Sequence, residues 1–279
     1  MTRHHAMALG LLLSCSLGAG TATAQIRGDA GFTANTLFRN DDGSTGFVGL
    51  PFLANFFGAA YFGLYVNNNG NVTFSGPSGM FHPSSITNPG TPVLAPFFAD
   101  VDTRNLESGQ VTYGTSVLDG RNAFGVNWLG VGYYSVRADR LNDFQLVLVD
   151  RGDIAAGDFD FEFNYGRIQW EAGMASGDTG NGVCGPAEPF CTPARAGWAA
   201  GGQQYEVPGS GVAGALLDGG PNSLSAAQRY AFQVRSGQIS GPGPDPTTVP
   251  EPTSMILLGS GIAGVVAARR RRRRQPAEE

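Results

Sequence analysis

Short apolar alternations, each closed by turn residues, run through the middle of the chain. The clearest is Asp158-Phe159-Asp160-Phe161-Glu162-Phe163-Asn164-Tyr165, where aromatic and polar residues take alternate positions. A period of two marks a strand with one buried face, so this pattern predicts a half-buried strand. Phe144 to Val149 is more continuously apolar and predicts a central strand, with Asp150 to Gly157 as the hairpin connection between the two. Further strands are expected at Tyr61–Asn67, Asn71–Ser75, Val93–Phe98, Gln110–Gly114, Asn122–Trp128, Arg195–Ala200 and Arg229–Val234. Asn68-Asn69-Gly70 joins the first two by hairpin-turn chemistry, because Asn and Gly tolerate positive φ. About a dozen short strands need two packed sheets. The expectation is a mostly β, antiparallel, two-sheet sandwich-like single domain over residues 25–240.

Both ends read as processing signals. Arg3, His4 and His5 precede an apolar stretch from Ala6 to Leu13, and Ala22-Thr23-Ala24 supplies a small-x-small site. Residues 1–24 are therefore expected to be a signal peptide, cleaved before Gln25. Its eight apolar residues fall short of the about 20 a spanning helix needs. A competing reading makes Cys15 a lipidation site after Leu12-Leu13-Ser14. At the other end, residues 241–249 form a Pro/Gly linker, expected to be a semi-extended stalk. Pro250-Glu251-Pro252 then leads into an apolar run, Met255 to Ala268, and a cluster of Arg269, Arg270, Arg271, Arg272, Arg273 and Arg274. The run makes about 21 Å of helix. The hydrocarbon core is about 30 Å thick, so the span is marginal and suits a temporary anchor. Arginines behind it hold that end in the cytoplasm and place everything before it outside.

Charge narrows the choice of partner. There is no lysine, and residues 25–240 carry 11 arginines against 19 Asp and Glu. The formal net charge of −5 hides this acidity, since six arginines lie in the tail. An acidic ectodomain repels nucleic acid, which is excluded as a partner without a bridging cation. Once Cys15 is removed, Cys184 and Cys191 remain, and two cysteines seven apart in an exported chain read as one local disulfide.

Two resemblances sharpen the picture. Val249-Pro250-Glu251-Pro252, the Gly-rich apolar run and the arginine cluster resemble the PEP-CTERM sorting signal, over 250–274 with its short transmembrane segment 255–268. That resemblance implies processing by exosortase, a membrane protease of exopolysaccharide-making Gram-negative bacteria. An ordinary C-terminal membrane helix would explain the arginines but not Pro-Glu-Pro. The middle of the chain resembles the nidogen-like (NIDO) domain, over about residues 50–236. The matching pieces are Val66 to Phe74, Val93 to Arg104, Gly109 to Tyr113, Val126 to Trp128, Asn142 to Leu148, Asn164 to Trp170 and Ala196 to Trp198. Gly173 to Pro193 departs from the pattern as an insertion. This resemblance implies an extracellular domain associated with cell–matrix adhesion, with no catalytic activity attributed to it.

Candidate chemistry is sparse. Asp100 and Asp102, at i and i+2 near a strand end, point the same way as a Ca²⁺ ligand pair would. The alternative is that Arg104 or backbone N–H groups satisfy them at a turn. Asp158, Asp160 and Glu162 read as a solvated strand face. Glu162 with Glu171 could form a glycosidase pair only if the fold set their separation. Arg151-Gly152-Asp153 and the sequon Asn71-Val72-Thr73 read as turn and strand chemistry. After signal removal His82 is the sole histidine, and no Gly-x-Ser-x-Gly elbow or phosphate loop accompanies it.

The combined expectation is a non-enzymatic, exopolysaccharide-associated cell-surface or matrix adhesion module without a resident cofactor. It would be anchored transiently in the inner membrane and then displayed or released. A Ca²⁺-assisted glycan-binding sandwich is the second reading and a polysaccharide hydrolase the third. The tail gives a direct test. Intact-mass measurement of secreted or surface protein should find a C-terminus near Pro250-Glu251-Pro252, without Arg269 to Arg274; a species running through Glu279 would refute the sorting assignment.

Overall fold

The computed structural model describes residues 26–243. The signal peptide (1–24) with Cys15, Pro250-Glu251-Pro252, the 255–268 run and Arg269–Arg274 lie outside the described residues. Among the described residues no helix is long and apolar enough to cross a membrane.

The architecture is mostly β, with two antiparallel sheets that do not close into a barrel. The larger sheet runs in the order β1 (Asn35–Thr36), β7 (Val111–Leu118), β8 (Arg121–Tyr133), β9 (Arg137–Asp150), β10 (Phe159–Tyr165), β13 (Arg229–Arg235) and β14 (Gln238–Gly243), and β6 (Val101–Asp102) also pairs with β8. The second sheet runs β12 (Gln203–Glu206), β11 (Arg195–Ala200), β5 (Val93–Phe98), β4 (Asn71–Thr73), β3 (Ala59–Asn67) and β2 (Val48–Phe56). Strands β5 and β11 match the residues that the pattern marks, and β9 and β10 form the expected hairpin. None of the four edge strands, β1 and β14 of the larger sheet and β12 and β2 of the second, was expected. β2 contains Gly49 and Pro51, and its pairing with β3 shifts register between Gly49 and Ala54, where a proline does least harm. β14 pairs with β13 as far as Gly243, so the ordered domain reaches three residues into the segment expected to be linker.

Aromatic side chains from both sheets fill the space between them. Phe97 of β5 lies 5.2 Å from Phe144 of β9 and edge-on to Trp170 at 5.7 Å. Trp128 stacks on Phe144 at 5.2 Å, and Phe161 stacks on Phe232 at 4.5 Å. All are fully buried, and each large side chain contributes roughly 1.5–3 kcal/mol through the area it removes from water.

The outer face of the larger sheet is not left to solvent. A row of polar residues crosses five strands in register: Thr112, Asn127, Gln145, Asn164 and Arg229. Gln145 donates to Asn127 Oδ1 (2.7 Å), Asn164 donates to Gln145 Oε1 (3.0 Å), and Arg229 donates to Asn164 Oδ1 (2.9 Å). Residues 27–32 lie along this row. The Arg27 backbone exchanges two hydrogen bonds with Gln145, Asn127 donates to the Phe32 carbonyl, and Phe32 packs on Ala123 and Val147. Asp160 and Glu162, expected to be merely solvated, are held by Arg151 with Arg235 and by Arg27 with Arg229.

The Asn68-Asn69-Gly70 turn is the larger surprise. Asn67, Asn68, Asn69 and Asn71 are at most 1% exposed. Gly70 has φ +74°, and a Cβ there would lie 1.8 Å from the Phe97 carbonyl oxygen, so only glycine fits. Burial obliges every amide to find a partner. Asn68 Nδ2 donates to the carbonyls of Asp41 (2.5 Å) and Val101 (2.6 Å), while its own carbonyl accepts from Trp128 Nε1 (3.0 Å). Asn69 accepts from the Val101 N–H and donates to Asp42 Oδ1. Asn67 donates to Asn71 Oδ1 and Thr73 Oγ1. Replacing Asn68 by Ala should lower stability by about 1–3 kcal/mol, because buried carbonyls lose their donor. The shift would be read as a lower urea midpoint at unchanged m-value; an unaltered midpoint would show the turn to be dispensable.

Candidate functional site

Asp100 occupies the break between β5 and β6, where the chain leaves one sheet for the other. Its neighbours are set by the buried turn. The segment from Arg39 to Thr45 crosses over that turn, held by the Thr103 N–H on the Asn40 carbonyl (3.0 Å), the Asn68 N–H on the Gly43 carbonyl (2.9 Å) and the Asn68 side chain on the Asp41 carbonyl. This crossing brings Asp41, Asp42 and Asp100 together, with one carboxylate oxygen from each within 4.8 Å of the others.

Asp102 does not act as the second member of an Asp100 pair. Its carboxylate is fully buried and accepts from the Arg104 backbone N–H, Nε and Nη2 (2.9, 2.9 and 2.6 Å) and from the Val136 N–H (2.8 Å). Burial works to raise its pKa, but the hydrogen bonds from Arg104 and Val136 and the Arg104 charge outweigh it and hold the group below 3.8. This is the turn satisfaction weighed in the sequence, realised for one aspartate only. Asp100 differs: it is 1% exposed and its Oδ2 has no hydrogen-bond partner. Burial, followed by the charges of Asp41, Asp42 and Asp102, pushes it up to about 8. Burial and the charges of Asp102 and Asp42 likewise push Asp41 up to about 6, although Arg104 touches its other oxygen at 3.0 Å. Asp41 and Asp42 escaped sequence reasoning. The available signal was Asn40-Asp41-Asp42-Gly43, an acidic turn motif with nothing to connect it to Asp100.

The insertion borders this cluster. A Cβ at Gly173 would lie 2.5 Å from Asp100 Oδ2, and the Tyr134 N–H donates to the Asp100 carbonyl while the Tyr134 carbonyl accepts from the Met174 N–H. The segment Gly173 to Pro193 is ordered by its own bonds. Cys184 and Cys191 are joined, with Cα atoms 5.5 Å apart; Asp178 accepts from the N–H groups of Gly180, Asn181 and Gly182; Thr192 Oγ1 lies 2.8 Å from His82 Nε2.

The remaining candidates are dispersed. Glu162 is paired with Arg27, whereas Glu171 is buried and accepts from the N–H groups of Cys184 and Gly214; the two share no partner. In the Arg151-Gly152-Asp153 turn the two side chains pair with each other, and Arg151 also pairs with Asp160. Asn71 is buried within the asparagine turn.

With this geometry in hand, comparison with known proteins places the chain. A family model described as NIDO related matches residues 16–181, and a PEP-CTERM protein-sorting motif matches 248–273. The chain belongs to the NIDO-related family and carries a PEP-CTERM motif. It is similar to α-tectorin of Mus musculus and of Homo sapiens, 30% identical over 226 residues in each case. These alignments cover 71% of this chain but only 10% of either tectorin. No solved structure matches. The family match ends at 181, before β11 to β14, so it is shorter at that end than the resemblance drawn from the sequence. The PEP-CTERM motif implies an exported protein processed by exosortase.

Glu171 offers a check on how the insertion is fastened. Burial raises its pKa above 4.5 despite the N–H groups it accepts from. Glu171→Ala should lower stability by about 1–3 kcal/mol, since the buried Cys184 N–H and the half-buried Gly214 N–H lose their acceptor. A raised native pKa means that the carboxyl stabilises most below pH 4.5 and less as pH rises through the raised value. Urea titrations from pH 4 upward should therefore show the wild-type advantage narrowing; an advantage that widens would contradict this.

Proposed function

We propose that this protein is a non-enzymatic adhesion module of the extracellular matrix. Exosortase would cut it near Pro250-Glu251-Pro252 and release it from transient inner-membrane anchoring to act at the cell surface with exopolysaccharide. The observation that carries this reading is the joining, in one chain, of a NIDO-related domain to a PEP-CTERM motif. The use of the titratable groups supports it. Glu162 and Glu171 serve the framework separately, and the sole histidine of the described residues, His82, is engaged by Thr192. A two-carboxylate glycosidase needs its pair set about one bond, and Glu162 and Glu171 are held by different partners. Specificity would then reside in loops held by the rigid sheets. The acidic Asp41–Asp42–Asp100 cluster beside the insertion favours calcium-assisted glycan binding as a second reading.

Exported protein, purified after processing, should sediment with host exopolysaccharide and release no reducing sugar from it over a day of incubation. Turnover that Glu162→Gln or Glu171→Gln abolishes would replace this reading with the hydrolase. Failure to co-sediment with either polysaccharide or matrix protein would leave the adhesion assignment without support and count against it.

A further inference from the structure

We propose that Asp41, Asp42 and Asp100 bind a calcium ion that fastens the Arg39–Thr45 segment to the junction between the two sheets. Five carboxylates are buried among the described residues: Asp100, Asp102, Asp158, Glu171 and Asp178. Four of them accept hydrogen bonds from named groups: Asp102 from Arg104 and Val136, Asp158 from the Ser236 N–H, Glu171 from Cys184 and Gly214, and Asp178 from its own loop. Asp100 alone holds a buried oxygen, Oδ2, with no partner. Asp41 Oδ1, in the same cluster, is buried and unpartnered too. An ionised carboxylate taken from water without a compensating donor or cation is strongly disfavoured. Asp100 carries that deficit in full, and Asp41, with one such oxygen, and Asp42 share its cluster.

The surroundings hold the three groups in place. Asn68 fixes the Asp41 carbonyl, Asn69 fixes Asp42 Oδ1, and the Val101 N–H on Asn69 ties both to the strand that follows Asp100. Gly173 leaves room beside Asp100 that any larger residue would fill. Arg104 is shared between Asp102 and one oxygen of Asp41, so its single charge does not balance the carboxylates gathered around it. Asp42 is exposed and Asp41 partly so, which gives an ion a path from solvent.

The ligand chemistry selects the ion. All donors are oxygens, with no histidine or thiolate among them, so the site suits a hard cation. One oxygen from each of the three carboxylates lies within 4.8 Å of the others, close enough to share a calcium ion, whose bonds are about 2.3–2.6 Å long and whose geometry is flexible. Magnesium demands near-ideal octahedral geometry and gives up its waters reluctantly, so carboxylates drawn from two separate chain segments suit it less.

The test uses the full processed protein, stripped with EDTA and dialysed. Calcium should bind at one ion per chain by atomic emission and raise the thermal midpoint at about 1 mM, the range of extracellular modules. Magnesium at the same concentration should raise it less. Asp100→Asn and, separately, Asp42→Asn should weaken calcium binding on the order of 100-fold, because charge count sets affinity. Asp153→Asn, on the β9–β10 hairpin, should leave it unchanged. Asparagine at position 100 is neutral and matches aspartate in shape, so without metal the variant should melt no lower than the stripped wild type. That outcome separates loss of the ion from loss of the fold. An unmoved wild-type midpoint with no bound ion, an equal response to magnesium, or full calcium binding by a folded Asp100→Asn would overturn the proposal.

Discussion

The structure depends on the obligation of buried amides to be hydrogen-bonded. A four-asparagine turn placed between two sheets is tolerable only if every donor and acceptor is met. Meeting them requires Trp128 from the larger sheet, Val101 from the crossover, and backbone carbonyls from the Arg39–Thr45 segment. No apolar contact specifies partners so narrowly. Hydrophobic area drives the sheets together, whereas the turn determines which segment crosses where. The register between the sheets and the placement of Asp41 and Asp42 beside Asp100 are both results of that constraint.

A second polar device does similar work on the opposite face. The row from Thr112 through Arg229 aligns β7, β8, β9, β10 and β13 to a common line, and a slip of one residue in any of the three inner strands would break two side-chain bonds of the row. Arg27 and Phe32 cover the row, so polar groups on the outside of a sandwich become interior groups. The domain therefore has an aromatic interior between its sheets and a polar interior on one flank.

These devices explain what the sequence could reveal. Regular alternation marks β10, which carries its evidence within a few residues, whereas β5 and β11, buried along nearly their whole length, show as short apolar runs closed by turn residues. β2 and β14 were hidden by Gly49, Pro51, Gly241 and Pro242, which argue against strands unless an edge or a bulge receives them. The asparagine turn was legible as a turn but not as a buried one, since its partners lie about 27–60 residues away. For the same reason Asp102 looked equivalent to Asp100. Only the Arg104 side chain folding back, and a contact with Val136 34 residues on, separates the two.

The cover formed by residues 27–32 has a consequence for delivery. This is the first part of the domain to emerge on the far side of a membrane when the chain is threaded from its amino end. Its partners, Asn127, Gln145 and Glu162, come 95 to 135 residues later. The leading segment must therefore wait, unpaired, until most of the larger sheet has been translocated, and it docks as one of the closing steps of assembly.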